Sequence, residues 1–349
     1  MDTVVVDAEE LTAACAAILQ HEEVPAEAAR AVAVSLVDAD LKGTHSHGVL
    51  RLPRYVKELR SRVTNPAPLI RTEAEGEAFA RVDGDGGLGP LVGRYAMTLC
   101  LEKAKRAGSA TVTARRSRHF GAAGFYAAMA LPHDLIGISM TVASPRLAPT
   151  GGTQPLFGNN PLAVAVPGDQ GFPLVADFAV GRTGAGRLEL AAANGESIPP
   201  GLARDLGGNP TTDPKVGLTG TIIPIGEHKG YGLTLVIEVL AGLLAGAPYF
   251  GVERAQVSEH MRDRGIGHCF MAIDPSRFLP IAAFKQAVAT MVARTKGSPR
   301  LPGVEEVLIP GELEARRLAE RRRNGIPLSA TTAESMASLA AAAGFALRW

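Results

Sequence analysis

VDGDGGLGP, residues 82–90, admits two folds. Gly84, Gly86 and Gly89 satisfy G-x-G-x-x-G between a strand-like run and a helix-like one, the spacing with which dinucleotide-binding α/β domains seat a pyrophosphate on a helix N-terminus. Two observations oppose that reading. Asp83 and Asp85 flank the loop, so its amides would face carboxylates rather than phosphate. Roughly 20 residues further on, where a second strand should present a ribose-binding acid, the chain reads EKAKRAG, a helix end. The run is therefore expected to be a structural turn, with Pro90 in the first turn of the helix that follows.

Composition narrows the rest. A chain of 349 residues with 46% hydrophobic content is long enough for two cores. Its 36 basic and 35 acidic residues leave a net charge of +1, and no window carries a basic stripe, so nucleic acid is not an expected partner. Cys15, Cys100 and Cys269 are an odd number at wide spacing and read as buried small hydrophobes in a reducing compartment. The start MDTVVVDAEELTAACAAILQ places acids where a signal peptide needs bases, so a cytoplasmic protein is expected. The longest apolar run, YGLTLVIEVLAGLLAGAPYF at residues 231–250, holds Glu238 at its centre and a G-x-x-x-G at Gly242 and Gly246. A mid-span carboxylate is costly in lipid, so this is expected to be a buried helix and not a membrane span.

Helices are expected over EELTAACAAILQHEEV, over PAEAARAVAVSLVDADLKG and over the segment after Gly48, all ahead of a break at NPAP, residues 65–68. From Ala78 to about Pro224, runs such as SATVTAR, IGISMTVAS and PLAVAVP alternate with Gly and Pro clusters. With 39 Gly and 24 Pro in the chain, that region reads as strands and loops. The tail reads as one helix stopped at Asn324 and Gly325 and a second opened by a capping box at Thr331 and Glu334.

Chemistry concentrates in KGTHSHGVLRLPRYVKEL, residues 42–59. If a helix follows Gly48, the four-residue spacing stacks His47, Arg51 and Tyr55 on one face, a titrating base, a carboxylate fork and a phenol in line. An H-x-H metal pair at His45 and His47 would need further ligands that no other motif supplies, so no metal is expected and His45 reads as structural. HFGAAG, opening at His119, is a glycine-rich approach to a helix of the kind that lets backbone amides reach an anion. In GEHKGYGL, His228 and Lys229 stand at a helix start, where a cation is unfavourable unless it meets a phosphate.

LKGTHSHGVLRLPRY, RHFGAAGFY, FGNNPLAVAVP, DFAVGRTGAGRL, NPTTDP, GEHKGYGL, LAGLLAGA and VLIPGELEARR, in that order and over nearly the whole chain, closely resemble the malate/L-lactate dehydrogenase family, which also includes ureidoglycolate and sulfolactate dehydrogenases, diketogulonate reductase and the cyclic imino acid reductases. The resemblance implies an α+β fold with a largely antiparallel, non-Rossmann cofactor domain over residues 76–312. It also implies a helical domain from residues 1–75 plus 313–349 that carries the substrate motif, and a homodimer. It puts Ser46, His47, Arg51 and Tyr55 in a substrate site, with His47 as proton carrier, Ser46 as its partner, and His119 as the second candidate for that role. Asn159, where many relatives have Thr, and Arg187, where the imino acid reductases have an Asp, would also meet substrate. NAD or NADP would lie against His119, Phe120, Gly121, Ala122 and Ala123; Asp177, Phe178 and Ala179; His228 and Lys229; and Pro310, Gly311 and Glu312. The implied activity is interconversion of a small 2-hydroxy acid with its 2-keto acid. The alternatives are reduction of a cyclic imino acid, or a binding protein on the same fold.

Overall fold

The computed structural model describes residues 3–247 and 265–349. The end of the apolar run, residues 248–250, lies outside the described residues.

The helical layer is built from both ends of the chain. Asp7 caps the helix Ala8–His21 by accepting from Glu9 and Glu10 amides at 2.8 and 3.1 Å, and Ala26–Leu41 packs along it. The helices Glu312–Asn324 and Ala330–Ala342 return to the same core, in which Leu11, Cys15, Leu36, Leu52, Tyr55 and Met336 are buried. A strand that the reading of the tail missed, Ile326–Ser329, pairs antiparallel with Thr3–Val6 and fastens the layer together. The second helix of the tail is capped by Ser329, whose Oγ accepts from the Thr332 amide at 3.2 Å, not by the Thr331–Glu334 box. Ser329 leaves the strand in extended geometry, which is what a capping residue needs, and Thr331 is already helical.

Seven strands form the main sheet, in the order Arg71–Glu75, Phe79–Asp83, Ser109–Ser117, Ile266–Ile273, Ile136–Thr141, Pro161–Val166, Leu174–Ala179. The three runs read from the sequence as strands are the third, fifth and sixth of these. Every neighbouring pair is antiparallel except Phe79–Asp83 with Ser109–Ser117. That pair is parallel because the helix Gly89–Ala107 carries the chain back over the sheet between them. Among the described residues this is the strand–loop–helix–strand unit whose two strands pair in parallel, and its loop is VDGDGGLGP. The loop is filled by its own side chains. Asp83 is 1% exposed and pairs with Arg116 at 2.7 Å and Arg71 at 3.0 Å, while Asp85 accepts from Asn65 Nδ2 and the Leu69 amide. It is a structural turn, as expected.

Residue alternation along Ile266–Ile273 explains the two cores beside the sheet. Phe270 and Ala272 face the helix Gly89–Ala107 with Met97, Cys100 and Tyr126, and Cys269 faces Phe157, Val180 and Ile237. All three cysteines are buried and free, and burial raises each thiol. The apolar run begins as the helix His228–Ile237 and widens into a π-helical turn, Glu238–Leu243. Glu238 there is 3% exposed and accepts from Asn160 Nδ2 at 3.3 Å, so the mid-run carboxylate is a buried hydrogen-bonding group. Among the described residues no helix is long and apolar enough to cross a membrane.

Candidate active site

The helical layer and the sheet enclose a cavity of about 780 Å³. On the helical side stand Ser46, His47, Arg51 and Arg54, and on the sheet side His119 to Gly124, Asn159, and Asp177 to Ala179.

The segment carrying the first four is not the single helix expected after Gly48. His45–His47 and Val49–Arg51 are two separate 3₁₀ turns, with Gly48 extended between them at φ −86°, ψ −152°. The α-helix begins only at Leu52, because Pro53 has no amide to give and fits only a first turn. The expected column of His47, Arg51 and Tyr55 is therefore replaced by a folded arrangement. Arg51 turns back, its Nε donating to the Ser46 carbonyl at 2.5 Å, which leaves the terminal guanidinium nitrogens toward the cavity. His47 Nδ1 lies 3.0 Å from Ser46 Oγ. Tyr55 is fully buried and does not line the cavity. Its hydroxyl stands behind His119, 2.9 Å from Nδ1, and donates to the His119 carbonyl at 3.2 Å.

His47 and His119 face each other as stacked rings with centroids 5.7 Å apart and planes 20° from parallel. Both are biased toward the neutral form. Burial and then the Arg51 guanidinium push His47 down to about 4. Burial, His47 and the two arginines hold His119 well below the usual histidine value.

Beyond Phe120 the chain has no side chain larger than methyl for four residues, Gly121 to Gly124. Gly121 has φ +82°, and a Cβ there would meet nothing within 4 Å, so backbone borders open space. The Gly124 amide donates to Asp177 Oδ2 at 2.7 Å, tying this loop to the strand Leu174–Ala179. Asp177 is exposed to the cavity, where the partial desolvation of its carboxyl by the surrounding walls raises it, with Gly124 and Lys42 opposing and Glu314 adding. Asn159 also lines the cavity, but both ends of its amide serve backbone, the Gly181 amide at 2.6 Å and the Thr183 carbonyl at 2.9 Å. It braces the turn leading to Arg187, which is exposed on the cavity wall.

Pro310 and Gly311 line the cavity and Glu312 does not. Glu312 receives Lys296 at 2.5 Å, Arg316 at 2.5 Å and the Ile309 amide at 3.2 Å, so it anchors the turn from behind. His228 and Lys229 are exposed at the start of their helix and are not brought to the cavity of this chain.

Several wall residues escaped the reading of the sequence, among them Asp38, Lys42, Thr141, Ser144, Arg146 and Glu314. They sit in ordinary helix, strand or loop sequence, and only the tertiary fold gathers them. His268 also escaped. It is fully buried, with Thr141 Oγ1 and Ser117 Oγ each 2.7 Å from a ring nitrogen and Phe120 stacked 4.6 Å away, and burial pushes it down to about 3.

The family model described as malate/L-lactate dehydrogenase matches residues 6–337. The malate/(S)-sulfolactate dehydrogenase of Methanothermus fervidus is 38% identical over 95% of this chain and 96% of its own. The malate dehydrogenase structure from Pyrococcus horikoshii superposes with a TM-score of 0.89 at 36% identity, covering 99% of this chain and 97% of that one. A delta1-piperideine-2-carboxylate reductase structure from Pseudomonas syringae pvar. tomato reaches 0.88 at 30% identity, covering 97% of this chain and all (100%) of that one. Fold and cavity therefore define an NAD(P)-dependent dehydrogenase acting on a CH–OH group, built without a Rossmann domain. The chain belongs to the malate/L-lactate dehydrogenase family.

Proposed function

We propose that the cavity takes a small 2-hydroxy acid beside NAD or NADP, and that His47 moves the proton when the hydroxy acid and its 2-keto acid interconvert. The observation that carries this reading is the pairing of a neutral imidazole with an arginine fork on one wall. Arg51 has its Nε occupied by the Ser46 carbonyl, so its remaining nitrogens offer a carboxylate two parallel N–H···O bonds and fix the reacting carbon. In the tautomer with its hydrogen on Nδ1, 3.0 Å from Ser46 Oγ, His47 would keep Nε2 free to accept the hydroxyl proton. Burial and Arg51 keep that nitrogen unprotonated near neutral pH, the state oxidation of an alcohol requires.

The cavity suits the cofactor: about 780 Å³ lies in the range of roughly 300–1,000 Å³ for such sites, and the small residues after His119 let backbone approach closely. Phe120 to Ala123, Asp177 to Ala179, Pro310 and Gly311 would hold it. The nicotinamide supplies the hydride chemistry. His119 is the second candidate for the proton. With the Tyr55 hydroxyl hydrogen on the His119 carbonyl, Nδ1 would carry its own hydrogen toward the phenol oxygen and leave Nε2 as acceptor.

We assign the enzyme to the cytoplasm, in keeping with three free, buried thiols. It acts as a homodimer. The face bearing Leu235, Val236, Val239, Leu243 and Leu244, each 39–55% exposed, suits a two-fold contact with a second copy.

Fluorescence enhancement of NADH or NADPH, followed by turnover against a panel of 2-keto acids and cyclic imino acids, tests the reading. One cofactor should bind, and acyclic keto acids should turn over faster than piperideine or pyrroline carboxylates. Silence with both cofactors would indicate a binding protein. Arg187 puts a cation on the wall where a carboxylate would favour a protonated imidazole, so Arg187→Asp should raise the imine-to-keto ratio. Faster turnover of an imine by the unmodified protein would overturn the substrate class.

A further inference from the structure

Two histidines stand two residues apart in THSHG, and they point in opposite directions. His47 lines the cavity, whereas His45 does not and turns to Asp40. Asp40 lies near the end of the helix Ala26–Leu41, is 1% exposed and does not touch the cavity. Its carboxylate closes two bonds on the loop that follows. Oδ1 accepts from His45 Nδ1 and Oδ2 from the Val49 amide, each at 2.7 Å.

The second ring nitrogen of His45 is also committed. Arg321, from the helix Glu312–Asn324, stands 3.0 Å from His45 Nε2 and donates to the Asp40 main-chain carbonyl at 2.5 Å. Arginine only donates, so Nε2 accepts and the ring hydrogen is on Nδ1, directed at the carboxylate. One arrangement satisfies every group: Arg321 to His45 to Asp40, with Asp40 also holding Val49. The space is closed as well. A Cβ on Gly48 would lie 2.2 Å from the Asp40 carboxylate oxygens, so only glycine lets the loop sit down on the acid. Ser46, His47 and Gly48 are the three residues between the anchor points at His45 and Val49.

We propose that Asp40 is a positioning residue of the active site, acting through His47: by clamping the loop at His45 and at Val49 it sets where the His47 ring stands. This rests on the reading of His47 as the proton carrier. Asparagine at position 40 keeps the size but presents an amide NH₂ to one of two obligate donors, and Arg321 denies His45 the other tautomer. One clamp bond must fail.

The test is a double-mutant cycle on kcat with Asp40→Asn and His47→Ala, each variant checked for cofactor fluorescence and melting temperature. Asp40→Asn alone should lower kcat by about 10- to 100-fold, as a displaced catalytic group does, while cofactor affinity stays within about two-fold. In the His47→Ala background the same change should have almost no further effect, because the group it positions is gone. Equal losses in both backgrounds would mean a general structural role and would overturn the proposal. So would an Asp40→Asn protein with unchanged kcat while His47→Ala is impaired. If His47→Ala itself retains full kcat, the underlying reading of the site fails instead, and the proposal with it. Should Asp40→Asn not fold, His45→Ala runs the same cycle, since it opens one clamp bond and keeps Val49 on the acid. Its loss should be smaller but equally absent without His47.

Discussion

His47 ionises where burial and Arg51 both oppose a charge, and its activity should carry that signature. As the base for hydroxy acid oxidation it is competent when neutral. With saturating cofactor, kcat/KM should stay level through neutral pH and fall only as pH drops through about 4. An acid limb near the ordinary histidine value would show a ring in open solvent. His47→Ala should lower kcat by about 10²- to 10⁴-fold with cofactor fluorescence retained, whereas His119→Ala should weaken cofactor binding. The reverse pattern, turnover lost at His119 with binding intact and turnover kept without His47, would exchange the two roles. That Ser46, His47, Arg51 and His119 share one cavity was readable where a motif carried it, as in SHGVLR and HFGAAG. Tyr55, expected in line with His47 and Arg51, instead stands behind His119, since sequence spacing says nothing about whether a phenol ends in a cavity wall or behind it.

At the scale of elements, two glycines of VDGDGGLGP, Gly86 and Gly89, have separate duties. Gly86 has φ +70°, and Gly86→Ala should cost about 1 kcal/mol of stability without altering cofactor affinity. Gly89 opens the helix Gly89–Ala107 directly under the active-site loop, where a Cβ would lie 2.3 Å from the Arg118 and His119 carbonyls. Gly89→Ala should therefore displace His119 and reduce turnover, even though the turn itself meets no cofactor. Comparison of melting temperature, NAD(P)H affinity and kcat for the two variants separates these effects. Equal behaviour would show that the loop acts as one unit. The strands SATVTAR, IGISMT and PLAVAV announced themselves because β-branched alternation is local. The strand Ile266–Ile273 and the pairing of Thr3–Val6 with Ile326–Ser329 did not, since each is stabilised by a partner far along the chain. The helix expected after Gly48 forms from Leu52, one 3₁₀ turn later, because Pro53 and the Asp40 clamp outweigh a four-residue spacing in the turns before it.

Across the whole molecule, three neutral histidines lie between the layers. His47, His119 and His268 all ionise below the usual value of about 6.5 in the folded chain, chiefly because of burial. Such groups bind more protons when unfolded, so their contribution to stability is complete above about 6.5. It is lost as pH falls toward about 4 for His47 and about 3 for His268. Melting temperature should decline through that window, and His268→Gln, which keeps a hydrogen-bonding group between Thr141 and Ser117, should flatten the decline. An unchanged slope would mean that the carboxylates alone govern acid unfolding.

The place of Ile266–Ile273 in the sheet also governs the order in which the protein can be made. It fills the gap between Ser109–Ser117 and Ile136–Thr141, and its contact to Thr141 spans 127 residues of chain. During synthesis the two halves of the sheet leave the ribosome first and wait, each with an unpaired edge, until that strand arrives. Amides of Ser109–Ser117 and Ile136–Thr141 that face it should become protected late in pulse-labelled refolding. The nascent chain would be most open to misassociation in that interval.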